Sequence, residues 1–156
     1  GTVKLIVAGV PPGLGDPVFG SLDSELSRAL FSIPAVKGVE FGSGFQASRL
    51  KGSQNNDPLE IKNGRVTYLT NMAGGILGGL SSGAEIVAHV AFKPTPSIQK
   101  TQRSVNLRTM EQTELKITGR HDPCVVPKAV PVVEAIVATV LADFVLRSNM
   151  ISDTCE

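Results

Sequence analysis

The chain has 156 residues, one ordinary domain by size, and 42% apolar against 19% charged residues allow a buried core and exclude wholesale disorder. A net charge of +1 speaks against a nucleic-acid or anionic-membrane binder built on bulk charge, and six Phe, one Tyr and no Trp leave no stacking platform for bases or sugars. Two cysteines, Cys124 and Cys155, make neither a disulfide framework nor a zinc site, so no metal is expected and a reducing, cytoplasmic compartment is. No uninterrupted apolar run reaches the ~18–20 residues of a membrane span and no signal-peptide pattern is present, so no membrane partner is expected. The chain opens at Gly1 directly in strand-like sequence, which suggests a chain cut from a longer one.

Residues 2–10 (TVKLIVAGV) are β-branched and apolar, bounded by Pro11-Pro12-Gly13, and predict a strand entering a turn. Residues 21–33 predict a helix capped by Ser21, with Leu22, Leu26, Ala29, Leu30 and Ile33 at helical spacing and Pro34 as the stop. A short strand follows over 36–41, and the polar stretch 52–57 (GSQNND) reads as loop. Asn63-Gly64 between extended segments in 61–69 is a two-residue hairpin signal. After the glycine-rich segment 71–83, residues 85–92 (EIVAHVAF) read as a strand with a buried face, and 114–118 as another. The last element is an apolar helix over 129–147. Val130, Val133, Ile136, Val137, Val140, Leu141 and Phe144 point inward, and Pro131 sits in its first turn. A polar, frayed tail is expected over 148–156, leaving 1–147 as the folded unit. Strands separated by turns rather than helices favour an α+β fold, an antiparallel sheet with helices on one face.

Three segments can carry chemistry. The glycines of 74–83 lack both dinucleotide and Walker A spacing, and imply backbone lying close against a ligand or another element. Lys93-Pro94-Thr95-Pro96-Ser97 puts a cation and two hydroxyls on a proline-stiffened loop, suited to a phosphate or simply a polar turn. Arg120-His121-Asp122-Pro123-Cys124 offers a guanidinium fork for an anion and a carboxylate for proton transfer, against the plainer reading of a loop ion pair. Residues 93–128 hold seven basic and three acidic side chains, a local field for an anionic ligand. His89 reads as a satisfied core histidine and Cys124 as buried; no nucleophilic relay assembles from two histidines so placed.

Six segments in order resemble the chorismate synthase family: 12–19 (PGLGDPVF), 32–38 (SIPAVKG), 52–55 (GSQN), 73–79 (AGGILGG), 93–98 (KPTPSI) and 120–124 (RHDPC). The resemblance covers residues 2–147 and only the C-terminal half of that family. It implies a β-α-β sandwich, helices between antiparallel sheets, assembled as a homotetramer. It also implies a phosphate lyase of aromatic amino-acid biosynthesis (the shikimate pathway). This lyase converts 5-enolpyruvylshikimate 3-phosphate to chorismate by 1,4-anti elimination with reduced FMN, and NADP is associated with the family, while whether NADPH reduces the flavin on the enzyme itself is left open. Carried over by position, Pro34 and Ala35 would meet FMN through backbone, and Gly78 would pass against the flavin where a Cβ could not fit. Lys93, Pro94, Thr95, Pro96 and Ser97 would hold its phosphate-bearing tail. Arg120 would lie between flavin and substrate, and Asp122 near flavin N5 as the catalytic group. The family's catalytic histidines and most substrate-gripping arginines fall in the unmatched half, so the isolated chain is expected to be inactive. A reading from another class makes the chain a non-catalytic folding and oligomerisation module.

Overall fold

The computed structural model describes residues 1–148. The chain runs β1 (Thr2–Val7), α1 (Leu22–Phe31), β2 (Val36–Phe41), a 3-10 helix (Gly44–Arg49), α2 (Gly52–Asn55), β3 (Leu59–Lys62) and β4 (Arg65–Tyr68). It continues through β5 (Ile76–Leu77), β6 (Leu80–Ser81), β7 (Ile86–Phe92), β8 (Gln102–Asn106), β9 (Glu111–Leu115) and α3 (Val126–Arg147). β7 lies between β1 and β2 and is antiparallel to both. Its alternation is strict: Ile86, Ala88, Val90 and Phe92 are buried, while Val87, His89 and Ala91 point the other way and are half-buried.

The buried row of β7, with Val3 and Leu5 of β1 and Val36 of β2, faces Leu22, Leu26 and Leu30 of α1 and Ala129, Val133, Val137, Leu141 and Phe144 of α3. Each fully buried leucine or valine contributes about 1.5–3 kcal/mol to this core. Both helices therefore sit on one face, and α1 also packs on α3. The α+β architecture expected from the sequence, antiparallel sheet on helices, is the one found.

The boundaries shift for local reasons. β1 stops at Val7, and α1 spans 22–31. Ser21 occupies the cap position, but its Oγ bonds Ser24 Oγ at 2.7 Å, and the Leu22 N–H instead donates to the Gly79 carbonyl at 2.8 Å. Part of the stretch read as loop is α2, a single turn closed by the Lys51 N–H donating to Gln54 Oε1 at 2.9 Å. The Asn63-Gly64 hairpin forms as expected, both residues at positive φ.

The strand expected at 114–118 lies instead at 111–115 and pairs with 102–106, which the sequence reading left unassigned. β9 is exposed at every position, so no apolar alternation marked the pair. α3 starts at Val126 because Pro127 supplies the first-turn proline. Pro131 is thereby one turn further in, where it cannot donate to the Pro127 carbonyl. Val130 is exposed rather than inward, and Ile136 and Val140 are only partly buried. Cys124 is exposed on the loop before α3, not buried. His89 is not a satisfied core residue: its Nδ1 is buried without a hydrogen-bond partner, 3.8 Å from Glu40 Oε1.

α3 also corrects the expectation drawn from uninterrupted apolar runs. It has 22 residues, and an 18-residue stretch of it has a mean hydropathy of 2.1, so it is long and apolar enough to cross a membrane by length and composition although Glu134 and Asp143 interrupt the run. Its Val133–Phe144 side packs into the core. The tail expected over 148–156 falls, apart from Ser148, outside the described residues.

Candidate functional site

Three segments singled out in the sequence converge where β7 ends. Pro34 cannot continue α1, and Ala35 turns the chain at φ +73°, a left-handed conformation that costs an L-residue about 1–2 kcal/mol. The Ala35 carbonyl accepts the Lys93 N–H at 2.9 Å, which fastens the end of α1 to the first residue beyond β7. Among the described residues the Ala35 N–H has no acceptor of its own.

Beyond Lys93, the Pro94-Thr95-Pro96-Ser97 loop forms one wall of a pocket of about 430 Å3, and Gly119, His121, Asp122 and Pro123 form the other. Gln99, also on the wall, spans the two loops by donating from Nε2 to the Gly119 carbonyl at 3.4 Å. Thr95 Oγ1 is buried and has no hydrogen-bond partner. A buried hydroxyl left unpaired costs about 1–3 kcal/mol, so such a group marks a place where a partner is wanted.

Asp122 does form an ion pair, though not with Arg120: its Oδ2 meets Lys128 Nζ of α3 at 2.5 Å. Both side chains are more than half exposed, so the pair contributes at most about 1 kcal/mol and mainly sets where the carboxylate stands. Arg120 and Lys93 are exposed and form no ion pair among the described residues. The Ala35 N–H, the Lys93 ammonium, the Thr95 hydroxyl and the Arg120 guanidinium thus have no acceptor among the described residues; Thr95 lines the pocket with Asp122, Lys93 and Arg120 are chain neighbours of lining residues, and Ala35 is tied to Lys93. That donor set suits a ligand carrying a phosphate, and nothing in it forms a metal-ligand cluster among the described residues.

Gly78 is not brought to this pocket. It lies in the two-residue turn between β5 and β6, with φ +58° and Gly79 at +82°. That turn is rooted where β7 begins, since Gly75 lies against Glu85 and Ile86. The length of β7, roughly 20 Å at ~3.3 Å per residue, separates it from Lys93. A Cβ on Gly78 would meet nothing within 4 Å, so the left-handed backbone, not crowding by this chain, is what calls for glycine there. Sequence reading missed Lys128, Gln99 and Gly119 because no spacing ties them to the motifs. It also passed over Asp57 in the stretch read as loop. Burial pushes the Asp57 carboxyl upward, but hydrogen bonds from Thr70, Ala73 and Met72 outweigh it and hold the group below the usual aspartate range.

The sequence pattern described as "Chorismate synthase" matches residues 1–146. A chorismate synthase of Archaeoglobus fulgidus is 58% identical over 97% of this chain and 42% of its own length. That of Dehalococcoides mccartyi strain 195 is 54% identical over the same shares. A crystal structure of chorismate synthase superimposes with a TM-score of 0.75 at 34% identity, covering 95% of this chain and 38% of the solved one. The chain belongs to the chorismate synthase family, of whose C-terminal half it is a match. It spans about two-fifths of the length of these relatives.

Proposed function

We propose that this chain is the part of a cytoplasmic, homotetrameric chorismate synthase that holds reduced FMN by its phosphate-bearing end, with Asp122 beside the reacting atoms. The observation that carries this reading is the buried, partnerless Thr95 hydroxyl on the pocket wall opposite Asp122. The residues fit the group: a phosphate would give Thr95, Ser97, Lys93 and the free Ala35 N–H the acceptor they lack. When bound, reduced FMN would supply electron density to the departing phosphate of 5-enolpyruvylshikimate 3-phosphate in the 1,4-anti elimination that yields chorismate. The chain's own residues do the rest of their share by position. Arg120 faces the anionic groups where flavin and substrate meet, its fork fixing their orientation. Asp122 Oδ2 helps remove the proton, and Lys128 keeps that carboxylate aimed. Gly78 offers bare backbone to a flat ligand.

The remaining groups for turnover lie in the unmatched part of the family, so this chain alone forms no chorismate; anaerobic assay with reduced FMN and substrate should show no turnover. Titrating FMN into the chain should quench or shift flavin fluorescence, and Lys93→Ala and Thr95→Val should weaken the effect. A flat titration would sink the flavin reading. It would leave the module that only folds and assembles, which the outward Phe19, Phe45, Leu107 and Met110, each at least 80% exposed, favour.

A further inference from the structure

The polar stretch 52–57, whose first four residues resemble the family, has no role in the reading above, and at its end Asp57 is unusually engaged. Its Oδ1 accepts the Thr70 hydroxyl at 2.6 Å and the Met72 N–H at 2.7 Å, and its Oδ2 accepts the Ala73 N–H at 2.9 Å. Those donors begin the glycine-rich segment. Between the first two of them Asn71 braces the next turn, its Oδ1 accepting the Gly75 N–H at 2.8 Å and its Nδ2 donating to the Glu85 carbonyl at 2.7 Å. Gly74 is wedged between Gly42 and Val87, where an added Cβ would come within 2.2 Å of the Gly42 nitrogen. The segment is therefore fixed from one side by a carboxylate and from the other by the sheet. Past this clamp the β5–β6 turn leaves Gly78 with nothing of its own chain beside it. An ionised carboxylate receiving three donors, two of them consecutive backbone N–H groups, is held far more firmly than a loop acid in water.

We propose that Asp57 is a positioning residue. By gathering the Thr70 hydroxyl and the Met72 and Ala73 N–H groups, it sets the β5–β6 turn so that Gly78 presents open backbone to the ligand. That the ligand is a flavin rests on the function proposed above; that Asp57 sets the turn does not.

The test separates the two. Hydrogen exchange on the 156-residue chain compares wild type with Asp57→Asn, which keeps the shape but turns one acceptor into a donor, and with the milder Thr70→Val. Amides of 72–81 should exchange at least tenfold faster in Asp57→Asn and less so in Thr70→Val, with the middle of β1 and β7 still protected. Unchanged exchange, or equal loosening throughout the sheet, overturns the proposal. In parallel, FMN affinity should fall about tenfold in Asp57→Asn, and Asp57→Asn combined with Gly78→Ala should lose no more than the worse single variant. A loosened turn with unaltered FMN affinity, or full additivity, also overturns it. If wild type binds no FMN, the flavin reading fails and the exchange pattern alone decides whether Asp57 holds the turn.

Discussion

The body of β1, β2, β7, α1 and α3 and the outer segment 93–125 are built on opposite terms. In the body, every second residue of β7 is buried and each helix puts a row of Leu, Val or Phe into the same core. In the outer segment, β8 and β9 hold each other through a five-residue ladder, and neither has a buried residue. A two-stranded hairpin without an apolar face is marginal on its own, so its stability comes from the ends where it leaves the body. Those ends are the Lys93–Gln99 and Gly119–Pro123 loops that wall the pocket. The contrast explains the placing of the site: both walls are loops, tied to the body where the Lys93 N–H meets the Ala35 carbonyl and where Asp122 meets Lys128 of α3, and loops can accept a ligand without repacking the core.

Substitutions should sort by region. The largest effect belongs to the seam: in the full-length enzyme, Asp122→Asn should cut single-turnover rate roughly 10²–10⁴-fold while FMN binding changes little. Near-normal chemistry would reassign Asp122 to shaping the loop with Lys128. In the body, Leu30→Ala should destabilise by about 2–5 kcal/mol, read by urea unfolding, because Leu30 is fully buried between helix and sheet.

Thr95→Val should move stability and binding in opposite directions. Removing the unpaired hydroxyl should raise unfolding free energy by up to about 1–3 kcal/mol and weaken FMN. Loss of both would show that Thr95 has a partner within the fold. Asp57 gives a pH test. Its folded pKa lies below the usual 3.8, so the stability it contributes is present above that value and lost as pH falls through the folded one. Melting temperatures of wild type and Asp57→Asn should therefore differ near neutrality and converge in acid; a constant gap would show that ionisation is not what counts. The smallest effect is expected at the hairpin, where Val105, half exposed, should tolerate Ala within about 0.5 kcal/mol.

Much of the body was legible from residue order. The apolar periods of 22–30 and 86–92, the Asn63-Gly64 turn and the stop at Pro34 are local statements, and local backbone and burial preferences obey them. So was the family, through six short segments in order. The partners of single polar side chains were not. Nothing in the spacing says that Asp122 pairs with Lys128 rather than with Arg120, or that Asp57 reaches across to Met72 and Ala73. Nor could it show that His89 faces away from the core with its Nδ1 unpaired. The α+β layering could be read from residue order because hydrophobic period and turn chemistry act over a few residues at a time. That Ala35 is fastened to Lys93 and Thr95 shares a pocket with Asp122 beyond one end of β7, while Gly78 stands near the other, emerges only from the packed fold. Strand order and crossovers, which bring residue 35 to 93 and residue 95 to 122, are set by burying one common core and leave no mark at any single position.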